Sequence, residues 1–512
     1  MSAATDTDTS TGTDTSTGTD TSTGTDTSTG TDTSTGTDTS TGTDTSTGIG
    51  DTTGAGIRPE AASLLEILAV RVVKITAGDI DEHGMHVVRT ALADTVGVAL
   101  AGADADSIRI VRDATMGPAA GASLVLGGHE RRSALDAGLL NAMAAHALDY
   151  DDGNLVVVGH PSTVLVPAIL ALGEETNASA ADLAVAYAAG YEVLIRLARG
   201  VNTAHYAKGW HPTSTLGVFG VAAAAAKLLA LDSERTTAAL AVAASHAAGI
   251  KANFGTMTKA LHIGQAVRGG LLSAKLAAGG FTANPGALDA AQGFLAVYNG
   301  AGTYDTAAIL AQPTTLEINR GLNPIKAYPC CHSTHASIEA ARQIRAAHAP
   351  APDDIDRINI VVDALRMPHT DRPQFDDALA GKFSLQYVVA RALIDGTVRL
   401  EHFDGDAHLD PAVRGLMART HVSPAPGPPT NSFAGQVSVT TMSGRVLTAV
   451  RDPASDPPEL HADPPQLWDK LADCASRVLA ASDVAALVAA LLAFPGSGDV
   501  RQLVRLAEGP RG

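Results

Sequence analysis

The chain has 512 residues, 45% of them hydrophobic, and a formal net charge of −18. That acidic balance argues against a nucleic-acid partner, and three cysteines make no disulfide framework. No run of about twenty residues is apolar enough to span a bilayer, and the N-terminus lacks a basic stretch followed by an apolar one. The expected location is therefore cytoplasmic.

The first fifty residues repeat TDTSTG to about Gly48. The repeat carries eight aspartates and no base, which leaves the rest of the chain near −10. It has no aliphatic or aromatic residue to offset the entropy of ordering, so residues 1–56 read as a disordered low-complexity tail. From about 57 to 312 alanine and leucine dominate. AADLAVAYAAGYEVLIRLARG and TLGVFGVAAAAAKLLAL have helical length and propensity. LDSERTTAALAVAASHAAG offers Asp232 and Ser233 as caps and an end near Gly249. Eight to eleven helices are expected here. The texture then changes. IDRINIVVDAL alternates and is β-branched, and GQVSVTTMSGRVLTAVRD reads as a hairpin turning at SG. HASIEAARQIRAAH and FSLQYVVARALIDG are helical between them. Residues 313–465 thus read as a smaller α+β domain, and 466–512 as helices that return to the first. The expected fold class is mainly α, a large helical domain with a smaller α+β lid.

Four polar stretches interrupt this apolar chain. LDYDDGNLVVVGHPST holds Asp149, Asp151, Asp152 and His160. Its readings are a solvated cap, a magnesium site as in helical synthases, or carboxylate chemistry beside a histidine. His160 and His211 each precede a proline that opens an apolar helix with hydroxyls near its start, a setting that suits an anion. Lys259 and His262 share a helix face at i and i+3, and lysine is seldom set in so apolar a helix without a partner. Lys326, Tyr328, Cys331, His332 and His335 crowd the entry to the smaller domain, too tightly bunched for a usual zinc spacing.

HALDYDDG…GHPSTVLVPAILALGEE, GWHPTSTLGVFGVAAAAAKLL, TKALHIGQAVRGGLLSAKLAAGGFTA and KAYPCCHSTHASIEAA resemble, in order, the motifs of the MmgE/PrpD family. The resemblance runs from about Leu64 to Leu492. It implies a helical domain with an inserted lid, a homodimer, and chemistry on small polycarboxylates without metal or other cofactor. It also carries catalytic roles onto Asp149, His160, Lys259 and Lys326, and substrate-binding roles onto His211, His262, Tyr328 and His332. The chain differs from the family's cis-aconitate decarboxylases in having Gly153 for a threonine and Ala327 after Lys326. The expected activity is proton abstraction next to a carboxylate by a 2-methylcitrate-dehydratase-like hydro-lyase. A dicarboxylate epimerase or racemase and a cis-aconitate-type decarboxylase are the alternatives. A magnesium-dependent helical synthase and a non-catalytic binding protein are the readings from other classes.

Overall fold

The computed structural model describes residues 62–510 apart from 119, 312–314, 322, 456–465 and 497. The TDTSTG repeat lies outside the described residues, and the expected domain boundaries fall beside or within undescribed segments.

Most of the described chain is α-helical. Between Leu64 and Ala278 there are eleven α-helical segments, two of them single turns. Those that shape the site are α1 (Glu82–Gly102), α2 (Ala134–Ala147), α3 (Pro161–Thr176), α4 (Ala180–Val201), α5 (Gly217–Leu228) and α6 (Met257–Ala278). Side-chain caps start four of them: Asp81 on Gly84 N, Ser133 on Asp136 N, Ser179 on Asp182 N and Thr256 on Thr258 N. The Asp232 cap also forms, but its helix ends at Ala244, short of Gly249. α2 and α5 are apolar almost all round and almost wholly buried, which is what an alanine-rich helix inside a core requires. Small residues set the spacing. A Cβ on Gly264 would stand 2.9 Å from the Leu139 carbonyl oxygen, so glycine lets α6 lie against α2 and brings Lys259 to the end of α2.

The smaller part has its own apolar core, from Ile338 and Ile344 to Val437 and Val439. A four-stranded sheet runs in the order β2-β1-β3-β4, with β1 Ile355–Val362, β2 Thr420–Pro424, β3 Gly435–Thr441 and β4 Val446–Arg451. β1 pairs parallel to β2 and antiparallel to β3, with Ile360 opposite Val422 and Val437. Helices α7 (His332–His348) and α8 (Leu385–Asp395) pack with it. Strand β1 and the hairpin lie where alternation predicts them. β2 escapes the pattern because it is a short edge strand ending in proline, a position that needs no second ladder of hydrogen bonds.

Helix α9 (Leu467–Ser476) then returns to the first core, with Leu467 and Leu471 buried there. Its Lys470 Nζ lies 2.6 Å from Asp94 Oδ1 and donates to the carbonyls of Tyr150 and Lys326 at 2.6 and 3.1 Å. Helix α9 thus ties the segments around Tyr150 and Lys326 together. No helix among the described residues is long and apolar enough to cross a membrane.

Candidate active site

α2 ends at Ala147, and the chain leaves it through Asp149 at φ 52°. Aspartate tolerates this left-handed conformation better than most residues. The loop that follows is tightly tied. Gly153 N donates to the Pro324 carbonyl at 2.9 Å, and the Asn154 side chain accepts from Val156 N and Val157 N while donating to Tyr191 and Asn323. The loop ends at His160, with Pro161 as the first residue of α3.

All three aspartates are buried, so a solvated cap is excluded. Each does something different. Asp149 Oδ1 accepts from Lys259 Nζ at 2.6 Å and from Lys326 Nζ at 2.9 Å, and Lys326 also donates to the Asp149 carbonyl at 2.8 Å. Burial opposes ionisation of Asp149, but the two ammonium groups hold its pKa well below the ordinary value. Burial likewise opposes the charge on Lys326, and Asp149 and Asp151 push its pKa up. The two lysines, 67 positions apart in sequence, meet at one carboxylate oxygen.

Asp151 faces two histidines instead. Its Oδ2 is 2.7 Å from His146 Nδ1 and 3.4 Å from His160 Nδ1. Against the effect of burial, those histidines lower its pKa. Asp152 is the exception: burial raises its pKa well above the ordinary range, and Ser162 hydrogen-bonds both carboxyl oxygens. The Asp152 main-chain carbonyl contacts His160 Nδ1. A carbonyl only accepts, so Nδ1 carries the hydrogen and Nε2 is left with its lone pair. Burial holds the pKa of His160 well below the usual histidine value, despite Asp151. At neutral pH this ring is an uncharged base.

Lys259, Asp149 and His160 line a cavity of about 60 Å³ with His211, His332, Phe254, Phe383, Tyr206, Arg366 and Phe433. The first core supplies one wall and the smaller part the other. The volume is comparable to that of about two water molecules.

The expected site residues separate on this geometry. Asp149, His160, Lys259, His211 and His332 share the cavity. Lys326 sits behind it, 1% exposed, and reaches it through Asp149. His262 stands behind His211, with the two Nδ1 atoms 3.3 Å apart. The Tyr328 hydroxyl is held by Glu339 and by Arg342 Nη1 at 2.8 Å and does not line the cavity. Sequence reasoning missed His146, Asp151 as the histidines' partner, and Arg366 and Phe433 on the far wall. His146, three residues before Asp149 at the end of α2, was the one open to detection.

His146, Asp149 and His160 offer ligand atoms within 4.8 Å of one another. Two ammonium groups already neutralise Asp149, and a divalent cation beside them would be repelled. The donor set suits a proton or a water better than a metal.

A mainly helical fold thus presents a lysine-held carboxylate beside a neutral histidine. The chain belongs to the MmgE/PrpD family: residues 66–307 match the MmgE/PrpD N-terminal domain and residues 328–493 the C-terminal domain. It is similar to the mouse cis-aconitate decarboxylase, 30% identical over 73% of this chain and 78% of the mouse protein. The human cis-aconitate decarboxylase is 28% identical over 88% of this chain and 95% of its own length. A cis-aconitate decarboxylase-like protein of Aspergillus oryzae is 26% identical over 75% and 84%.

Proposed function

We propose that this protein is a lyase acting on a small polycarboxylate of the cis-aconitate kind, with proton transfer at a carbon next to a carboxylate. The observation that carries the reading is Lys259 on Asp149 beside an uncharged His160 in one cavity. In such a reaction charge accumulates on the carboxylate next to the reacting carbon, and a preorganised cation acts most strongly where charge develops. Lys259 takes that role. His160 Nε2 carries the proton. Asp149 and Lys326 are positioning residues: the carboxylate fixes Lys259, and Lys326 fixes the carboxylate.

Decarboxylation is the first form of the proposal, because the similar proteins named above are cis-aconitate decarboxylases or like them. The bond to the departing carboxylate breaks, its electron pair moves into the allylic system, and the far carbon takes a proton from His160 Nε2 as carbon dioxide leaves; because the resting ring is neutral, Nε2 must first gain that proton from solvent. Dehydration of a methylcitrate-like substrate is the second form. A neutral His160 is ready to remove a proton rather than give one. Gly153 also favours it: a Cβ there would lie 2.8 Å from His332 Nδ1, so a threonine does not fit beside His332 in this cavity. A cytoplasmic, metal-free homodimer is part of the same proposal.

Proton NMR of the purified chain with cis-aconitate and with 2-methylcitrate in deuterated water tests it. Decarboxylation is expected to give new methylene signals with deuterium incorporated, and dehydration to give an olefinic product. Deuterium uptake without conversion would point to epimerisation. Inertness toward a broad polycarboxylate panel would overturn the reading, as would activity lost to a chelator and restored by metal.

A further inference from the structure

Arg366 follows strand β1 on the turn 363–366, in the smaller part, and its side chain is 1% exposed. Its guanidinium lies 3.9 Å over the Phe433 ring. Nε donates to the Ser432 carbonyl at 3.2 Å, and Nη2 donates to the Asn431 carbonyl at 2.7 Å and to its side-chain oxygen. These contacts clamp the group rigidly at the cavity wall. Nη1 is buried and makes no hydrogen bond of good geometry; the Tyr206 hydroxyl interacts with the guanidinium but is neutral, so it supplies no charge. Arg366 forms no ion pair among the described residues. Asp363, on its own turn, spends its carboxylate on Leu365 N, Thr430 N and the Thr430 hydroxyl. A buried, unpaired guanidinium is costly, and arginine does not escape the cost by losing its proton. Further positive charge lies close by. Lys251 Nζ sits 3.4 Å over the ring of Tyr206, which lines the same cavity, and Arg372 stacks on Phe383 at 5.5 Å.

We propose that Arg366 is a specificity-determining anchor that takes, on Nη1, a substrate carboxylate remote from the reacting carbon. The inference rests on the polycarboxylate reading above and deepens it. Lys259 grips the carboxylate that gathers charge, and Arg366 grips another from the opposite wall. A ligand with carboxylates at both ends bridges the two cores and supplies the anion that Arg366 lacks. A substrate with one carboxylate cannot bridge them.

The test is calorimetric binding of propane-1,2,3-tricarboxylate, which resembles the substrate class but does not react, to the full chain and to Arg366→Gln and Arg366→Lys. Arg366→Gln is expected to weaken binding tenfold or more, and Arg366→Lys to recover most of it. Lysine restores the charge but not the three bonds to Asn431 and Ser432, so its rescue separates an anion anchor from a loop clamp. Gln binding as tightly as wild type overturns the proposal, and so does Lys binding as weakly as Gln. If wild type binds no polycarboxylate, the functional reading falls and this proposal with it. If wild type binds and Arg366→Gln is unchanged, Arg366 alone falls. Should neither variant fold, a crystal structure of wild type with the tricarboxylate decides. A carboxylate oxygen within hydrogen-bond distance of Nη1 supports the anchor; none there overturns it.

Discussion

The segments GHPST around His160 and WHPTST around His211 are near copies. Each histidine occupies the position before a helix with proline as the first helical residue, and the two segments are tied together by His160 N donating to Thr213 Oγ1 at 3.1 Å. Their chemistry differs all the same. His160 has a carbonyl on Nδ1 and Asp151 at 3.4 Å. His211 has another histidine 3.3 Å from its Nδ1 and the edge of Phe254, with ring centroids 4.8 Å apart. Burial lowers both pKa values; Asp151 works against this at His160, whereas His146, Lys259, His262 and His160 all lower that of His211 further. The local motif places a ring at the cavity. The charge around that ring comes from elsewhere in the chain and decides whether it can hold a proton.

The sharpest way to break this comparison is to remove each ring. His160→Asn is expected to lower turnover by about 10²–10⁴, the usual worth of a positioned proton carrier. His211→Asn removes a polar contact worth about 1 kcal/mol, so its loss is on the order of tenfold or less. Equal losses in steady-state kinetics would mean that the two rings do the same work.

The lysines come next. Lys259→Met should cost roughly a hundredfold in kcat, about 3 kcal/mol of charge stabilisation. Lys326→Met should lower kcat by a similar or smaller factor, because Lys326 acts only through Asp149. Each variant leaves Asp149 one ammonium partner, so both should stay folded. Thermal melts check the fold; near-normal turnover in Lys259→Met would remove it from the reacting carboxylate.

This geometry was partly legible in the sequence. Alanine, glycine and aspartate at helix ends foretold the helical core, and the four polar stretches foretold where the chain brings its charges together. What the pattern did not disclose is which charges pair. Asp149 and Asp151 are two residues apart, yet one meets lysines 110 and 177 positions away and the other meets His146 and His160. Arg366 was invisible for the same reason: an arginine after a strand reads as surface until Asn431 and Phe433 close over it. Tyr328 was equally illegible, since the sequence does not show that this motif neighbour of Lys326 holds its hydroxyl on Glu339. The relatives carry the lyase class but not the dehydratase subclass.

A smaller effect is expected from pH. His146, His160 and His211 are buried with pKa values below the ordinary 6.5. The unfolded chain therefore binds protons first as pH falls, and stability drops below about pH 6.5 by at most about 1.4 kcal/mol per unit for each histidine until its folded pKa is reached. If His160 acts as a base, kcat/KM should be level from pH 7 upward and fall only on the acid side, with a midpoint below 6.5. If it must donate a proton, as the decarboxylation form requires, kcat/KM should already be falling as pH rises past neutrality. The profile thus separates the two forms of the proposal.

The smallest expected effect concerns the neighbours Asp151 and Asp152, which bring the comparison down to adjacent residues. Burial raises the pKa of Asp152 well above the ordinary carboxyl value and so favours its protonated form, with Ser162 Oγ bonded to it and Tyr187 Oη 2.8 Å beyond. A neutral carboxyl group and a carboxamide have nearly the same shape, and the Ser162 hydroxyl can rotate to accept from the new amide and donate to Tyr187 Oη. Asp152→Asn should therefore leave turnover within about threefold and stability within about 1 kcal/mol of wild type. Asp151→Asn removes an ionised partner from two histidines and should cost at least about tenfold, since hydrogen bonds to charged groups are worth about 1.5–3 kcal/mol. The two variants differ from wild type by the same atoms, so side-by-side kinetics and melts isolate the ionisation state. A hundredfold loss in Asp152→Asn would mean that Asp152 carries a charge at working pH. The His160 ring would then sit on the carbonyl of an ionised residue with a second carboxylate behind it, and its tendency to hold a proton would rise accordingly.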